Sequence, residues 1–191
     1  MWPIVATVAD PTPGIPAGSV VLVTGIMGAG KSTVADLLAR RLRMSAHVRG
    51  DGFRRAIVRG RAEMTPNADD EALRQLRLRY ELGAMVADRY AAAGFTAVYQ
   101  DIIVGDELAA TIERIASRPL YVVALAPRAA IAGRRAEDRE KDSGYGEWTP
   151  DALDALLRTT PRIGLWLDTS AQPPNETVDE IIRRADEARV D

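Results

Sequence analysis

The 191-residue chain has no cysteine and a single histidine, His47. The first absence excludes disulfides and thiolate-ligated metals; the second excludes His-cluster metal sites and any two-histidine mechanism. Charge of one sign is also lacking. Basic residues number 25 against 27 acidic ones, a net charge of −2, which gives no electrostatic case for nucleic acid as the main partner. No hydrophobic run is long enough for a membrane span. Near the N-terminus Ile4–Ala9 is too short for a signal-peptide core and no basic segment precedes it. A cytoplasmic, reducing setting with no membrane partner is therefore expected. What the chain does have is 47% hydrophobic residues over the length of one domain, enough for a sizeable core.

Residues 1–18 carry Pro3, Pro11, Pro13 and Pro16 with Gly14 and Gly18, and read as an extended lead-in to a single domain at 19–191. From there strand and helix patterns alternate, the signature of an α/β fold with a parallel sheet covered on both faces. Strands are expected at Ser19–Thr24, Ala46–Arg49, Thr96–Tyr99, Leu120–Leu125 and Gly164–Leu167. Helices are expected at Lys31–Arg43, near Phe53–Val58, at Asp69–Ala93 with Asn67 as a cap, at Asp106–Ser117, and from Arg128. Thr149-Pro150 starts another, with Thr as cap and Pro at the first position, and Asn175–Arg189 closes the chain. On the long helix Leu73, Leu76, Tyr80, Ala84, Ala87 and Ala91 form an apolar stripe.

Residues 25–32 read Gly25-Ile26-Met27-Gly28-Ala29-Gly30-Lys31-Ser32, a complete G-x-x-x-x-G-K-S phosphate-binding loop. It follows the apolar run Val20–Val23 and precedes a helical pattern, which is the context the motif needs. Glycines let successive backbone N–H groups converge on a phosphate at a helix N-terminus. Gly25, Gly28, Ala29, Gly30, Lys31, Ser32 and Thr33 thus read as the ATP-binding set. Lys31 is placed to reach the β- and γ-phosphates and Ser32 to ligate Mg²⁺.

Ligands of an open α/β sheet bind beyond the carboxyl ends of its strands. The second strand delivers Asp51 there, flanked by Gly50 and Gly52, and the third delivers Asp101. Phosphoryl transfer asks for positioning, charge neutralisation and a carboxylate to take the acceptor's proton. Asp51 is the expected general base; capping the next helix or a water-mediated Mg²⁺ contact are its alternatives. Asp101 has the form of a Walker B strand end, serving Mg²⁺, an acceptor hydroxyl or only a local turn. Arg54 is an acceptor-site candidate on the helix after Asp51. Arg77, at the edge of the long helix's stripe, is a lesser one, for which a surface ion pair with Glu81 competes; Arg79 is expected to point away. Arg134, Arg135 and Arg139 precede the glycine-bearing segment 142–146 and suggest a mobile lid at about 134–148, whose cations close over the phosphates. His47, inside the second strand, reads as structural or surface, since nothing pairs with it to make a base or ligand.

Taken together, Gly25–Thr33, Asp51-Gly52-Phe53-Arg54, the arginines after the fourth strand, and Leu167–Ser170 with Glu176-Thr177 resemble the small P-loop kinases. That group includes chloramphenicol phosphotransferase, gluconate kinase-like enzymes and, more distantly, zeta toxins. The resemblance covers about Ser19 to Arg184 and implies a three-layer P-loop NTPase fold, α/β/α, with five parallel strands in the order 2-3-1-4-5. It puts the base at Asp51, lid arginines in Arg134–Arg139, and the Asp168–Ser170 loop towards the adenine.

The leading expectation is an ATP- and Mg²⁺-dependent kinase acting on the hydroxyl of a small molecule, an antibiotic or sugar-bearing natural product among the options. A zeta toxin-like nucleotide-sugar kinase and a non-transferring nucleotide switch are the competing readings. The segment Arg59–Asp70, which faces the acceptor, matches no pattern that names it. Oligomeric state is equally unread.

Overall fold

The computed structural model describes residues 14–137 and 148–191. Its five strands are β1 (Val20–Gly25), β2 (Ser45–Arg49), β3 (Thr96–Gln100), β4 (Leu120–Leu125) and β5 (Leu165–Leu167). All pair in parallel, in the order β2-β3-β1-β4-β5. This is the expected P-loop NTPase sheet. The two longest strands, β1 and β4, are buried throughout, which explains why they read as unbroken apolar runs and not as alternation.

Side chains alternate across the sheet and so build two cores. Val21 and Val23 of β1 pack on one face with Leu38 of α1 (Lys31–Arg41) and Ile181. Val20 and Leu22 pack on the other with Tyr80 and Ala84 of α3 (Asp70–Ala92), and with Leu108. Between α1 and α3 lie β2 and the short α2 (Gly50–Arg55); α4 (Glu107–Arg114) follows β3. On the same face as α1 lie α5 (Ala129–Glu137), α6 (Pro150–Thr159), α7 (Pro174–Arg183) and α8 (Ala185–Ala188). Thr149 caps α6 by accepting from the Ala152 N–H at 3.2 Å, with Pro150 following it. Among the described residues no helix is long and apolar enough to cross a membrane.

Three local expectations change. The short helix starts at Gly50, not near Phe53, so Asp51 stands in its first turn. The cap of α3 is Asp69, accepting from the Ala72 N–H at 2.8 Å, and not Asn67. The final helix breaks at Arg184, where Ala185 and Ala188 turn in to bury against the sheet. Of the N-terminal lead-in only its last residues are described. Ile15 is buried, and the Pro16 carbonyl accepts from Ser19 Oγ at 2.6 Å and Thr96 Oγ1 at 3.2 Å, tying the segment to β1 and β3.

Candidate functional site

The carboxyl ends of β1, β2 and β3 converge on the phosphate loop. Thr24, the residue before it, donates through Oγ1 to the Ile103 carbonyl at 2.6 Å and accepts from the Ile103 N–H at 3.1 Å. The Asp101 N–H donates to the Val23 carbonyl at 3.2 Å. The exit of β3 is thereby stitched to the root of the loop.

The loop's glycines serve different ends. Gly28 has φ +76°, and a Cβ there would overlap the Ala132 carbonyl, so the loop and α5 touch backbone to backbone. Gly30, at φ +94°, is the N-cap of α1, and a Cβ there would meet nothing within 4 Å. A left-handed residue beside open space at a helix N-terminus is the shape that a phosphate occupies. Lys31 is buried and its Nζ donates to the Ile26 carbonyl at 2.9 Å, lying back across its own loop. Ser32, expected to ligate Mg²⁺, is half-buried in the first turn of α1. A phosphate-bound Mg²⁺ needs only one or two protein oxygens, and the Ser32 hydroxyl fits that demand.

One recess adjoins the loop, and another, lined by no loop residue, opens between α2 and α3. The first is lined by Gly30, Thr33, Arg135, Thr169, Gln172 and Thr177. Arg135 donates to the Thr169 and Ser170 carbonyls at 2.9 and 3.4 Å, linking α5 to the loop after β5. Hydrogen bonds from Ser170 hold the Asp168 carboxyl below the usual carboxylate range. Arg134 by contrast is exposed and, among the described residues, reaches only the Ala130 carbonyl of its own helix, at 3.3 Å. Arg139 and most of the expected lid lie outside the described residues.

The second recess lies between α2 and α3, and Phe53, Arg54 and Arg79 are among its lining residues. Asp51, on the same short helix, is half-buried and pairs with Arg55 at 3.2 Å. Arg54 is ion-paired with Glu63, while its Nε is buried without a partner. Gln75 holds the segment opposite: its amide accepts from the Ala62 N–H at 2.9 Å and donates to the Gly60 carbonyl at 2.8 Å. Trp148 Nε1 donates to the Met64 carbonyl at 3.0 Å, so residues entering α6 also rest on this segment.

Asp101 is 2% exposed and is gripped by Arg79, whose guanidinium donates from Nε at 2.7 Å to one oxygen and from a terminal nitrogen to the other. The Ile102 N–H adds a bond at 2.7 Å. Burial pushes the Asp101 carboxyl up, opposed by the charge and hydrogen bonds of Arg79 and by the charge of Lys31. Gly50 is part of the same arrangement, since a Cβ there would overlap the Asp101 carboxylate. Asp101 therefore faces Arg79 and backbone.

The arginines of α3 exchange the roles expected of them. Arg79 is 5% exposed, and Arg77 is largely exposed, 3.4 Å from Glu107 and not paired with Glu81. A helical wheel drawn on apolar residues alone misses Arg79, because its burial follows from the carboxylate across the helix–sheet boundary. That second charge, at the end of β3, was the available signal. Gln75 carried no signal of its own. His47 is nearly buried, 3.7 Å from Asp36, and burial followed by the Arg49 charge pushes its pKa down.

A G-x-x-x-x-G-K-S loop between β1 and α1, in a parallel 2-3-1-4-5 sheet, defines the P-loop NTPase fold. The chain belongs to the AAA domain family AAA_33, whose model matches residues 20–162. No curated protein matches it. Among solved structures it is similar to a sugar kinase from Janibacter sp. HTCC2649, at 21% identity over 91% of this chain and 96% of that one, with a TM-score of 0.63. It is likewise similar to a gluconokinase from Sinorhizobium meliloti 1021, at 21% identity over 90% and 94%, with a TM-score of 0.58. The APS kinase of Mycobacterium tuberculosis, in complex with AMPPNP and APS, shares 21% identity over 90% and 99%, with a TM-score of 0.63. At these identities the likeness is one of fold.

Proposed function

We propose that this protein is an ATP- and Mg²⁺-dependent phosphotransferase that moves the γ-phosphate to a hydroxyl of a small molecule. One observation carries the reading. A second recess, separate from the nucleotide-side one, is lined by Phe53 and Arg54 of the short helix that also bears Asp51. A switch that only hydrolyses nucleotide has no need of it.

In this reading the phosphate loop binds the triphosphate through backbone N–H groups, and Lys31 leaves the Ile26 carbonyl to meet the β- and γ-phosphates. Ser32 would hold Mg²⁺ together with the phosphates, and the ion when bound would supply charge neutralisation on the transferring group. Asp51 takes the proton of the acceptor hydroxyl as its oxygen bonds to Pγ and the bond from Pγ to the β–γ bridging oxygen breaks, releasing ADP. Arg135, between α5 and the loop after β5, orders the base-side wall; Arg134 stands on the exposed side of the same helix, suited to closing over the phosphates. Asp101 acts as a positioning residue, fixing Arg79 in the acceptor-side wall. Kinases of the same fold acting on sugars, gluconate and APS support a small acceptor.

The test is ADP release with MgATP over a panel of hydroxylated metabolites and antibiotics, with Asp51→Asn alongside. Acceptor-stimulated ADP release that Asp51→Asn abolishes supports the reading. Slow hydrolysis that no acceptor stimulates and Asp51→Asn leaves unchanged overturns it in favour of a switch.

A further inference from the structure

Asp51 can serve as a base only if the short helix that bears it stands at a set distance from the phosphate loop. A helix of six residues takes its place from what it packs against. Strand register makes the decisive contact. Arg49 of β2 lies opposite Gln100 of β3, so the residues that follow, Gly50 and Asp101, come together. Gly50 is buried, and a Cβ built on it would overlap a carboxylate oxygen and the Cγ of Asp101. The first residue of α2 thus rests directly on the Asp101 side chain.

The two glycines beside Asp51 differ in what surrounds them. Neither Gly50 nor Gly52 has a positive φ, so neither is required by its backbone conformation. A Cβ on Gly52 would meet nothing within 4 Å. Position 50 alone needs glycine for space, because a carboxylate stands where a side chain would go.

That carboxylate is held from several sides. Arg79 of α3 binds both of its oxygens, and the Ile102 N–H binds one of them. The Asp101 N–H reaches the Val23 carbonyl at 3.2 Å, at the root of the phosphate loop, and the charge of Lys31 acts on the carboxyl from the loop itself. Replacing a buried ion pair by apolar groups is often neutral or stabilising, so stability alone is a weak reason for this pair. Its placement supplies another: a single residue touches both the helix with the base and the strand with the loop.

Resting on the phosphotransferase reading, we propose that Gly50 and Arg79 are positioning residues for the transfer step. Arg79 locks the Asp101 side chain as a seat, and the bare Cα of Gly50 lets α2 settle on it. The seat sets the distance from Asp51 to the phosphate loop. A misplacement of about 1 Å, from a residue that touches no substrate, is enough to cost about a hundredfold in rate.

The experiment compares the whole parent chain with Gly50→Ala, Gly52→Ala and Arg79→Lys, each checked for folding by thermal unfolding. ADP release is followed with MgATP alone and with D-gluconate, chloramphenicol and adenosine 5′-phosphosulfate as probes. The quantity compared is the Asp51-dependent rate, the part of the release that Asp51→Asn removes. Gly50→Ala should cut it about a hundredfold through kcat, with KM for MgATP and calorimetric ATP affinity unchanged. Its crystal structure should show the start of α2 lifted off Asp101 while the sheet stays in place. Gly52→Ala, the same methyl group on the other side of Asp51, should leave the rate at the parental level. Arg79→Lys keeps the charge but loses the planar two-point grip, and should lower kcat at unchanged KM for MgATP. A parental rate in Gly50→Ala or in Arg79→Lys, or equal losses in Gly50→Ala and Gly52→Ala, overturns the proposal and leaves the phosphotransferase reading standing. So does a structure of Gly50→Ala in which Asp101 swings away and α2 keeps its place. A parent with no Asp51-dependent rate overturns the phosphotransferase reading itself, and the proposal with it.

Discussion

Replacing Arg79 by Met should destabilise the protein far more than any exposed arginine on the same helix. The Asp101 carboxylate is 2% exposed and Arg79 5% exposed, so the substitution strands a buried charge left with the Ile102 N–H and the charge of Lys31. Breaking a buried pair from one side costs about 3–5 kcal/mol. An unfolding entropy of about 2.1 cal/mol/K per residue gives roughly 0.4 kcal/mol/K for a chain of this length, so the expected loss in Tm is about 7–12 °C. The double variant Arg79→Met with Asp101→Leu removes both charges and should recover most of that loss, since a buried pair replaced by apolar groups is often neutral. Arg77→Met, which removes only an exposed partner of Glu107, should cost at most about 1 kcal/mol. Calorimetry of the four proteins decides the matter. A Tm for Arg79→Met within 2 °C of the parent (under about 1 kcal/mol on the same scale), or a double variant no better than the single, refutes the reasoning.

Three further outcomes are expected. Gly28→Ala should weaken ATP binding, measured by calorimetric titration, because the new methyl group meets the Ala132 backbone at a positive φ; unaltered affinity would contradict the loop–α5 contact. His47 has a folded pKa held below the free value of 6.5, so its contribution to stability is present above that value and is lost as pH falls through the folded pKa. His47→Leu should therefore flatten the fall in urea-unfolding stability below pH 6.5, and an identical slope in both proteins would show that His47 protonates equally in the folded and unfolded chain. Lys31→Ala should abolish ADP release by removing the β/γ-phosphate contact; near-parental turnover would sink the assignment of the loop.

The phosphate loop was legible in the sequence because its constraint is local: glycines, Lys31 and Ser32 act within eight consecutive residues. Strands β1 and β4 were legible because parallel strands buried on both faces are written as unbroken apolar runs. The roles of Arg77 and Arg79 were not, because the partner that buries Arg79 lies 22 residues away at the end of β3. For the same reason the ion pair that holds Asp101 at the end of its strand was not legible. The recess between α2 and α3 was not legible, since it depends on how Gln75 and Glu63 hold the segment after α2. The strand order entered only through the likeness to P-loop kinases, because no local pattern encodes which parallel strands are neighbours.

The most direct test of the central claim is transfer of labelled γ-phosphate from MgATP to an acceptor by the parent chain and by Asp51→Asn, at matched nucleotide occupancy. Loss of a general base costs at least about a hundredfold, so the account predicts labelled acceptor from the parent, at least a hundredfold less from Asp51→Asn, and equal ATP affinity in both. Equal transfer by the two proteins would contradict the assignment of Asp51, and label appearing only as inorganic phosphate from both would contradict phosphotransfer itself.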